Sequence, residues 1–593
     1  MIVPMIKYSF LVYHIERDQF IHELMQVGVV QVISKGAVDD EYAQNLASDI
    51  KDGKYILSQF NKRKEVDTRL RENLEKPFPP LNEILDLEKE LEKQHHELDG
   101  LETEIRLMEP WGNFSWKEVR RLENAGNFIM RFCRHPERKF DKKWHDNFII
   151  EELKREGGFV YFVIFQKAEN EELPVVPLAL PKRSLNKLNE EKAVCNNRIA
   201  EINKELDYYS SRYKTDLEKG IFEAQDRLSV YLTTLHTNEL VDDKLILLEG
   251  WCPKTKQNEL LEYLNSNGIV YLETEPEENE IPPVLLKNNK FAQLFEPIGN
   301  MFSLPNYSEI DLTVYFAPFF MLFFGFCMGD FGYGLVIVLI ASLLKFKIKG
   351  ENQKYLTLLQ LFGLSTIIIG LISGTFFGLQ LAEESRFAEY KNYFLNQDQL
   401  FQTALYVGFV QIVFGMMVKV YKQVKFFGWL YAMNTLGWII LSFSILDLAI
   451  LKITGSVSTI AAIVGLVLIV FFGSPKDGWL KSFGLGLADL YNITGVAGDL
   501  LSYIRLFALG ASSAILGLVI NQIALSAQSA FNGWGIIITV VFLIVGHTAN
   551  MMLAGLSAFV HPMRLTFVEF YKNVGFIGGG KPYQPLAQKK KLD

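Results

Sequence analysis

The distribution of apolar residues divides the chain near residue 300. Before that point charged residues interrupt every apolar run, and after it the apolar runs become long enough to cross a bilayer. The pattern therefore predicts a water-exposed half, residues 1–300, and a membrane-embedded half, residues 301–593.

Alternating runs at both ends of the first half predict a small α/β lobe. Residues 6–34 have the pattern of a strand, a helix and a strand, and Gly28 stands where a helix C-cap belongs. Residues 242–275 repeat this order. We therefore assign residues 1–40 and 235–290 to one proximal lobe.

Two heptad seams lie between these runs. Their members recur at alternating steps of three and four with charged flanks, which is the coiled-coil pattern: Ile84, Leu87, Leu91, Gln94, Leu98, Leu101, Ile105 and Met108 in one, and Leu185, Leu188, Lys192, Cys195, Ile199, Ile202, Leu206 and Tyr209 in the other. Neither seam can bury its stripe alone. The economical arrangement is one antiparallel arm from residues 41–108 and 183–234, with residues 109–182, which contain the strand-like FVYFVIFQ, as a distal lobe. A generic spacer or a dimerisation coil is the competing interpretation.

Eight apolar segments of spanning length follow, at roughly 312–328, 331–346, 355–380, 401–420, 426–450, 457–473, 495–522 and 533–565. The first two are short and suit a re-entering pair around Gly329–Gly332. The predicted fold class is mixed: an N-terminal cytosolic α/β dumbbell with an antiparallel coiled-coil arm, and a C-terminal all-α membrane domain of eight transmembrane helices.

Lysine placement supports an even number of spans with both termini in the cytoplasm. The N-terminus shows no signal-peptide pattern, so we expect the first half to stay in the cytosol. Predicted inside segments then hold many lysines: Lys345, Lys347, Lys349, Lys354, Lys419, Lys422, Lys425, Lys476, Lys481, Lys581 and Lys589–Lys591. Predicted outside loops hold only three basic residues: Arg386, Lys391 and Lys452.

Charge and motifs narrow the function classes. The net charge of −8 disfavours nucleic acid as a partner, and four scattered cysteines support neither a disulfide framework nor a zinc site. The run Gly578–Lys581 is followed by proline and is not a phosphate loop. We predict no nucleotide site and no cofactor, so the energy for any ion movement would come from another subunit.

Two arginines in the last two predicted spans carry the main chemical signal. Arg505 lies in SYIRLFALG and Arg564 in HPMRLTFVEFY. An arginine keeps its charge at physiological pH, and placing it in hydrocarbon costs from ~3 to over 10 kcal/mol, so it normally faces protein or water. Arg564 lies close to the cytosolic end, where snorkelling to the interface is an equal alternative.

Polar and small residues line one face of each of these two spans. In the last span the stripe consists of His547, Asn550, Ala554, Ser557, His561 and Arg564, at steps of three and four. The preceding span offers Asp499, Ser502, Gly510, Ser513, Gly517 and Asn521. This arrangement suits an ion path beside a moving partner, and ordinary helix packing is the alternative at each position.

Four motifs together resemble one known family. They are LLKNNKFAQLFEPIGNMFSLPNYSEIDLTVYFAPFFMLFFGFCMGDFGYGL (285–335), EGWCP (249–253) and the two arginine motifs. They are similar to the a subunit of V-type and A-type rotary ATPases, whose prokaryotic form is called subunit I. The resemblance covers essentially the whole chain.

This resemblance implies a stator subunit and a role for each arginine. Arg505 and Arg564 would face the rotor ring of c (proteolipid) subunits, where a fixed cation lowers the pKa of a passing ring carboxylate and releases its ion. Two offset half-channels would supply the ion. Their candidate residues are Asp499, Ser502, Ser513, Asn521, His547, Asn550, Ser557, His561 and Glu569.

The implied partners are the c-ring, the peripheral stalk E and G subunits, a central stalk d or C-type subunit near the proximal lobe, and membrane lipid. Eukaryotic proton pumps of the family carry glutamate where this chain has Ala554, and histidine where it has Ser513. The ion, H⁺ or Na⁺, therefore stays open, as does the direction, synthesis or hydrolysis. A secondary transporter with a cytosolic regulatory arm and a membrane-anchored coiled-coil scaffold are the alternatives.

Overall fold

A computed structural model describes residues 1–33, 40–63, 79–141, 143–167, 173, 175–235, 237–240, 244–277, 279–348, 350, 352–381, 394–448, 455–473, 479–530 and 535–588. The chain forms two compact units: one contains Met1–Ile33 with Thr237–Ala587, and the other contains Ser34–His236. Part of the lysine pattern lies outside the described residues, namely Lys349, Arg386, Lys391, Lys452, Lys476 and Lys589–Lys591.

In the first half, short strands and helices accompany three longer helices, in the order β1 (Met5–Tyr13), α1 (Arg17–Val27), β2 (Gln31–Val32), α2 (Glu41–Lys62), α3 (Leu81–Met108), α4 (Trp116–Gly126), β3 (Ile129–Pro136), α5 (Trp144–Asn147), β4 (Ile149–Glu156), β5 (Phe159–Gln166), α6 (Leu185–Leu235), β6 (Asn238–Leu240), β7 (Leu245–Pro253), α7 (Gln257–Ser266) and β8 (Val270–Thr274).

The described second half is helical apart from one small hairpin, in the order α8 (Lys290–Gln293), α9 (Glu296–Phe302), α10 (Thr313–Met328), α11 (Phe331–Lys347), α12 (Gln353–Ser373), β9 (Thr375–Phe376), β10 (Leu379–Gln380), α13 (Gln397–Phe426), α14 (Trp429–Leu446), α15 (Ser456–Phe471), α16 (Trp479–Asp489), α17 (Ile493–Ser502), α18 (Ile504–Ala530), α19 (Gly535–Arg564) and α20 (Tyr571–Val574).

The predicted strand–helix–strand runs at residues 6–34 and 242–275 are confirmed and share one sheet. Its strands follow the order β2–β7–β1–β8, with β6 paired to β7, and β1 pairs antiparallel with both of its neighbours. Alternate β1 side chains, Tyr8 and Phe10 among them, are fully buried. Gly28 ends α1 with φ +68° and donates its N–H to the Leu24 carbonyl, as a left-handed C-cap does.

The second unit contains both heptad seams. Residues of the two seams form one apolar core together with α2. Two ion pairs join α6 to α3, Lys192–Glu102 at 2.9 Å and Arg198–Glu90 at 2.8 Å. The residue numbers rise along α6 as they fall along α3, so the two helices are antiparallel. α6 is 51 residues long, and Gly53 of α2 contacts Ile221 beyond the second seam. Supercoiling as a coiled coil stays a prediction.

A separate three-stranded antiparallel sheet, β3–β5–β4, also belongs to this unit. The run FVYFVIFQ forms its central strand β5, as the apolar pattern indicates. One face packs on an aromatic group in which Trp111 meets the Phe132 ring edge-on at 5.2 Å. The sheet thus has a small core of its own.

The two short helices α10 and α11 are joined by a short turn, but each packs on α12 and not on the other, so the predicted re-entering pair is wrong. α10 ends at Gly329 with φ +54°, and Asp330 caps α11 by accepting the Tyr333 N–H at 3.1 Å. The next predicted span, 355–380, ends earlier than expected. Gly374 adopts φ +68° after Ser373, and the chain then turns into the β9–β10 hairpin.

The seventh predicted span, 495–522, is longer and broken. A 3₁₀ turn at Leu490–Asn492 separates α16 from α17, and Tyr503 separates α17 from α18. α19 continues through Pro562 and passes into a π-helical turn, Leu565–Phe570. A π turn changes the backbone pairing beyond the proline and directs the following side chains differently.

Five stretches within the described residues are long and apolar enough to cross a membrane: Gln353–Ser373, Gln397–Phe426, Trp429–Leu446, Lys481–Gln528 and Gly535–Val574. Thr313–Met328 and Ser456–Phe471 are shorter apolar helices. The structure is thus mostly helical after residue 290, and eight crossings remain a prediction.

Candidate functional site

Arg505 lies in the first turn of α18, immediately after the break at Tyr503. Its Nη1 atom is buried and has no hydrogen-bond partner within the described residues, where Arg505 also makes no ion pair. The guanidinium is near enough to Cys327 on α10 and His561 on α19 to act on both electrostatically. A buried unpaired cation is strongly unfavourable, and the positive end of the α18 dipole adds to the cost. The position therefore favours an anionic partner.

Neither nearby aspartate neutralises Arg505. Asp499 accepts from Lys572 Nζ at 3.1 and 3.2 Å and from Asn573 Nδ2 at 3.1 Å. Asp489 also accepts from three donors: Asn434, Trp438 and Asn492. Other donors therefore occupy both carboxylates, and neither forms an ion pair with Arg505.

Arg564 is the last residue of α19, and its side chain is exposed. His561, one turn earlier, is half-buried and within electrostatic range of both Arg505 and Arg564. Ser557 is half-buried on the same face. The structure thus brings three predicted residues, Arg505, His561 and Arg564, into one electropositive group.

Glu569 lies in the π-helical turn just beyond Arg564. The residue is buried, and its Oε2 atom has no hydrogen-bond partner in the part of the chain that the structure describes. Ser502 lies against it, and Arg564 is close enough to interact with its charge. Glu569 and Arg505 are therefore two incompletely satisfied charges at the junction of α17, α18 and α19.

A chain of hydrogen bonds joins α11, α18 and α19. Asn550 Nδ2 donates to Tyr333 Oη at 2.8 Å and to the Ser513 carbonyl at 3.0 Å. Tyr333 Oη lies 2.8 Å from His547 Nδ1, and His547 Nε2 lies 3.0 Å from Asn521 Oδ1. Four of the predicted site residues therefore meet in one network. The Ser513 hydroxyl itself is buried without a partner among the described residues.

The network has a single direction of donation when His547 is neutral. Asn521 Nδ2 donates to the Phe377 carbonyl at 2.8 Å, which orients its amide and leaves Oδ1 as an acceptor. His547 must then carry its proton on Nε2 and accept from the Tyr333 hydroxyl at Nδ1. Asp330 accepts the Phe377 and Gly378 N–H groups at 3.0 and 2.9 Å and so holds the turn between β9 and β10.

The small-residue face of α18 packs inside the chain. A Cβ atom on Gly510 would lie 2.5 Å from the Phe326 carbonyl oxygen, and one on Gly517 would lie 2.8 Å from Gly378 Cα. The sequence left two interpretations of these glycines, contact with a moving partner or packing within the chain. Both glycines pack within the chain. The buried Asn550 likewise turns the polar stripe of α19 inward.

Sequence reasoning missed several polar members of the site: Asp330, Tyr333, Gln411, Tyr503 and Lys572. A tyrosine within an apolar run is a usable signal, because a buried phenol normally requires a hydrogen-bond partner. Lys572 gave no comparable signal, since a lysine at a helix end is usually solvated. The described residues contain no group of His, Cys, Asp and Glu that could hold a metal ion.

Comparison with known proteins shows what this chain is similar to. Residues 180–379 match the model of the V-type ATPase 116kDa subunit family. Relatives similar in sequence include the V-type ATP synthase subunit I of Borreliella burgdorferi, 25% identical with 100% of both chains covered, and that of Chlamydia trachomatis, 25% identical with 97% of both covered. The chain is thus similar over its whole length to subunits I of V-type ATP synthases, and in residues 180–379 to the V-type ATPase 116kDa subunit family.

The A-type ATP synthase subunit I of Methanocaldococcus jannaschii is 31% identical over 391 residues. That match covers 59% of this chain and spans 56% of the archaeal protein. A solved cytoplasmic N-terminal domain of subunit I, a homolog of subunit a of V-ATPase, is 16% identical. The match covers 45% of this chain and 100% of that domain. Its TM-score of 0.21 is too low to define a shared fold.

Proposed function

We propose that this chain is the stator subunit of a rotary V/A-type ATPase, forming the ion half-channels at the rotor ring and linking the membrane motor to the peripheral stalks. One observation carries the proposal: Arg505 has a buried guanidinium nitrogen with no partner among the described residues. Similarity to the subunits I of V-type ATP synthases supplies the class of machine in which such a cation would meet a moving carboxylate.

The proposed chemistry is electrostatic. A ring carboxylate that arrives carrying its ion comes close to the fixed charge of Arg505, which favours the ionised form and therefore releases the ion. Arginine suits this task because it stays protonated in a dry interface and presents several donors in one plane. Arg564 and the neighbouring His561 extend the positive region toward the end of α19.

The outer faces of α18 and α19 support a ring or lipid contact. They expose many large apolar side chains, of which the most exposed include Leu525, Ile544, Val545, Met552, Leu553 and Leu556. Such a surface is unfavourable in water and requires hydrocarbon or other helices. The ring would occupy the part of this surface nearest Arg505.

Two groups of polar residues are candidates for the half-channels. If both termini are cytoplasmic, the outer group is Ser513, Asn521, His547 and Asn550, and the inner group is Asp499, Ser502, Ser557, His561 and Glu569. The ring would select H⁺ or Na⁺. The antiparallel helices of the second unit would form a coiled-coil arm for the E and G stalk subunits, with a d-type subunit near the proximal sheet.

Purification from native membranes tests this proposal. A tag on this chain, in mild detergent, should recover nucleotide-binding subunits and a proteolipid ring together with ATPase activity. The separated chain should show no ATP hydrolysis. Recovery of the chain alone with solute transport would support a secondary transporter with a cytosolic regulatory arm. Recovery alone without transport would support a membrane-anchored scaffold.

A further inference from the structure

Two cavities lie within the helical bundle. The Asn396 cavity, about 390 Å³, lies between α10, α12, α13 and α18 and includes the polar residues Ser373, Thr375 and Asn396. The Asp499 cavity, about 240 Å³, lies between α13, α14, α17 and α20 and includes Lys419 and Asp499. Each is large enough for several waters, at about 30 Å³ of liquid volume per molecule, and each offers polar partners.

The cavities occupy opposite ends of the same helices. On α13, Leu400 lines the Asn396 cavity and Met416 lines the Asp499 cavity. On the neighbouring broken helix, Phe507 lines the first and Asp499 the second. Asp499 and Phe507 are eight residues apart, about 12 Å along a helix at 1.5 Å per residue. Only a short length of protein therefore separates the two spaces.

Tyr503 lies midway between Asp499 and Phe507 along the chain and lines neither cavity. Its side chain is fully buried, and its hydroxyl donates to Gln411 Oε1 on α13 at 2.7 Å. The ring meets Phe323 of α10 edge-on at 5.7 Å. On α13 it lies so close to Gly408 that a Cβ there would be 2.3 Å from Tyr503 Cγ. Leu506 and Ile412, also buried, belong to the same apolar core as Tyr503.

We propose that Tyr503 is an internal barrier that keeps the two cavities from joining, so that an ion cannot cross through the subunit without riding the ring. This inference rests on the proposed function. A continuous file of water between the cavities would offer such a route, and the aromatic ring leaves no room for one. Arg505 would block leakage at the ring interface, and Tyr503 would block it inside the stator.

Gln411 makes the barrier dependent on the Tyr503 side chain. Its Nε2 atom is buried with no hydrogen-bond partner in the described parts of the chain, although its Oε1 atom is occupied by Tyr503. Removal of the Tyr503 phenol would leave a space beside two unpaired groups of Gln411, the Nε2 donor and the Oε1 acceptor. Water enters a buried space when it is roomy and polar, so this space would hydrate.

The test uses the whole complex in sealed vesicles, with Tyr503→Ala, Tyr503→Phe and the unmodified chain compared. In Tyr503→Ala we expect assembly and ATP hydrolysis to persist, and an imposed gradient of the transported ion to collapse several-fold faster without ATP. Tyr503→Phe should hold the gradient as the unmodified chain does, because the aromatic ring of the side chain remains. Gly408→Ala, which displaces the ring from α13, should leak as Tyr503→Ala does.

A carboxylate-reactive carbodiimide separates the two possible leak routes. A leak through the stator interior bypasses the ring carboxylate and should persist after this modification. Unchanged gradients in both Tyr503→Ala and Gly408→Ala, or a leak that the carbodiimide stops, would overturn the barrier. The proposed function has a separate test, because it requires the ring carboxylate for transport. It would fail if the unmodified complex still took up the ion with ATP after treatment with the carbodiimide.

Discussion

At the scale of single residues, the buried polar groups differ in whether their hydrogen bonds are complete. His547 and Asn550 bond to partners that join α19 to α18, and Asp499 bonds to Lys572, which joins α17 to α20. Arg505 Nη1 and Glu569 Oε2 are buried without partners among the described residues. Unsatisfied buried groups are rare in folded proteins and mark positions where function outweighs stability.

Glu309, which precedes α10, shows how a fully paired charge behaves. It accepts from Lys422 Nζ at 2.6 Å and from the N–H groups of Ile577 and Gly578 at 3.0 and 2.9 Å. Burial alone would raise the pKa of Glu309, but these hydrogen bonds outweigh burial and lower it. Because the folded-state pKa is depressed, its stabilisation is present above the unfolded-state value and is lost as pH falls through the folded one.

We therefore expect Glu309→Gln to destabilise the protein at neutral pH by about 3–5 kcal/mol, because Lys422 would lose its buried partner. The unmodified protein should lose this advantage progressively as pH falls below about 4.3, the usual value for glutamate. Thermal unfolding in detergent across this range measures the difference, with the exposed Glu262→Gln as the matched control. Parallel pH profiles for Glu309→Gln and the unmodified protein would contradict the assignment.

At this scale the sequence predicts which residues carry the chemistry better than it predicts which residues they bond to. Arg505 and Arg564 could be found because an arginine in an apolar run is costly. The partners of Asp499 could not, because Lys572 and Asn573 follow α19 and its π turn, which no periodicity indicates. Tyr333 directly follows the Gly329–Gly332 turn, in which the glycines carry the sequence signal.

At the scale of elements, long periodic helices were predictable and their interruptions were not. The heptad seams give α3 and α6, but α2 reaches α6 beyond the second seam through Gly53, where no heptad signal exists. The break at Tyr503 depends on a tertiary contact, since its ring occupies the space left by Gly408. Local sequence carries little information about such contacts.

A zero-length crosslink tests the antiparallel pairing of α3 and α6. Lys192 Nζ lies 2.9 Å from Glu102 Oε1, so a carbodiimide should join the two as an amide within one chain. Mass spectrometry of the assembly, prepared from mixed light and heavy isotope-labelled chains, identifies the product and its origin. The Glu102→Gln variant should lack this peptide. Crosslinks found only between a light and a heavy chain would favour a dimerisation coil instead.

At the scale of the whole molecule, the chain's end returns to its beginning within the first unit. After α20 the Tyr583 hydroxyl donates to the Val29 carbonyl at 2.5 Å, and the Leu586 N–H donates to the Val30 carbonyl at 2.8 Å. The segment that follows Arg564 and Glu569 is therefore tied to the proximal sheet. In a stator, such a connection would help to hold the arginine helix against the drag of a turning ring.

The central claim is that Arg505 discharges the ring and does not hold the stator together. The decisive measurement is ATP-driven ion uptake in vesicles that carry Arg505→Ala, alongside immunoprecipitation of the whole assembly. We expect an assembled complex with no coupled uptake, and Arg505→Lys to be largely inactive as well, because lysine lacks the planar donor geometry. The control variant Thr548→Ala, at an exposed position of α19, should transport normally. Near-normal uptake by Arg505→Ala, or loss of assembly in place of transport, would contradict the account.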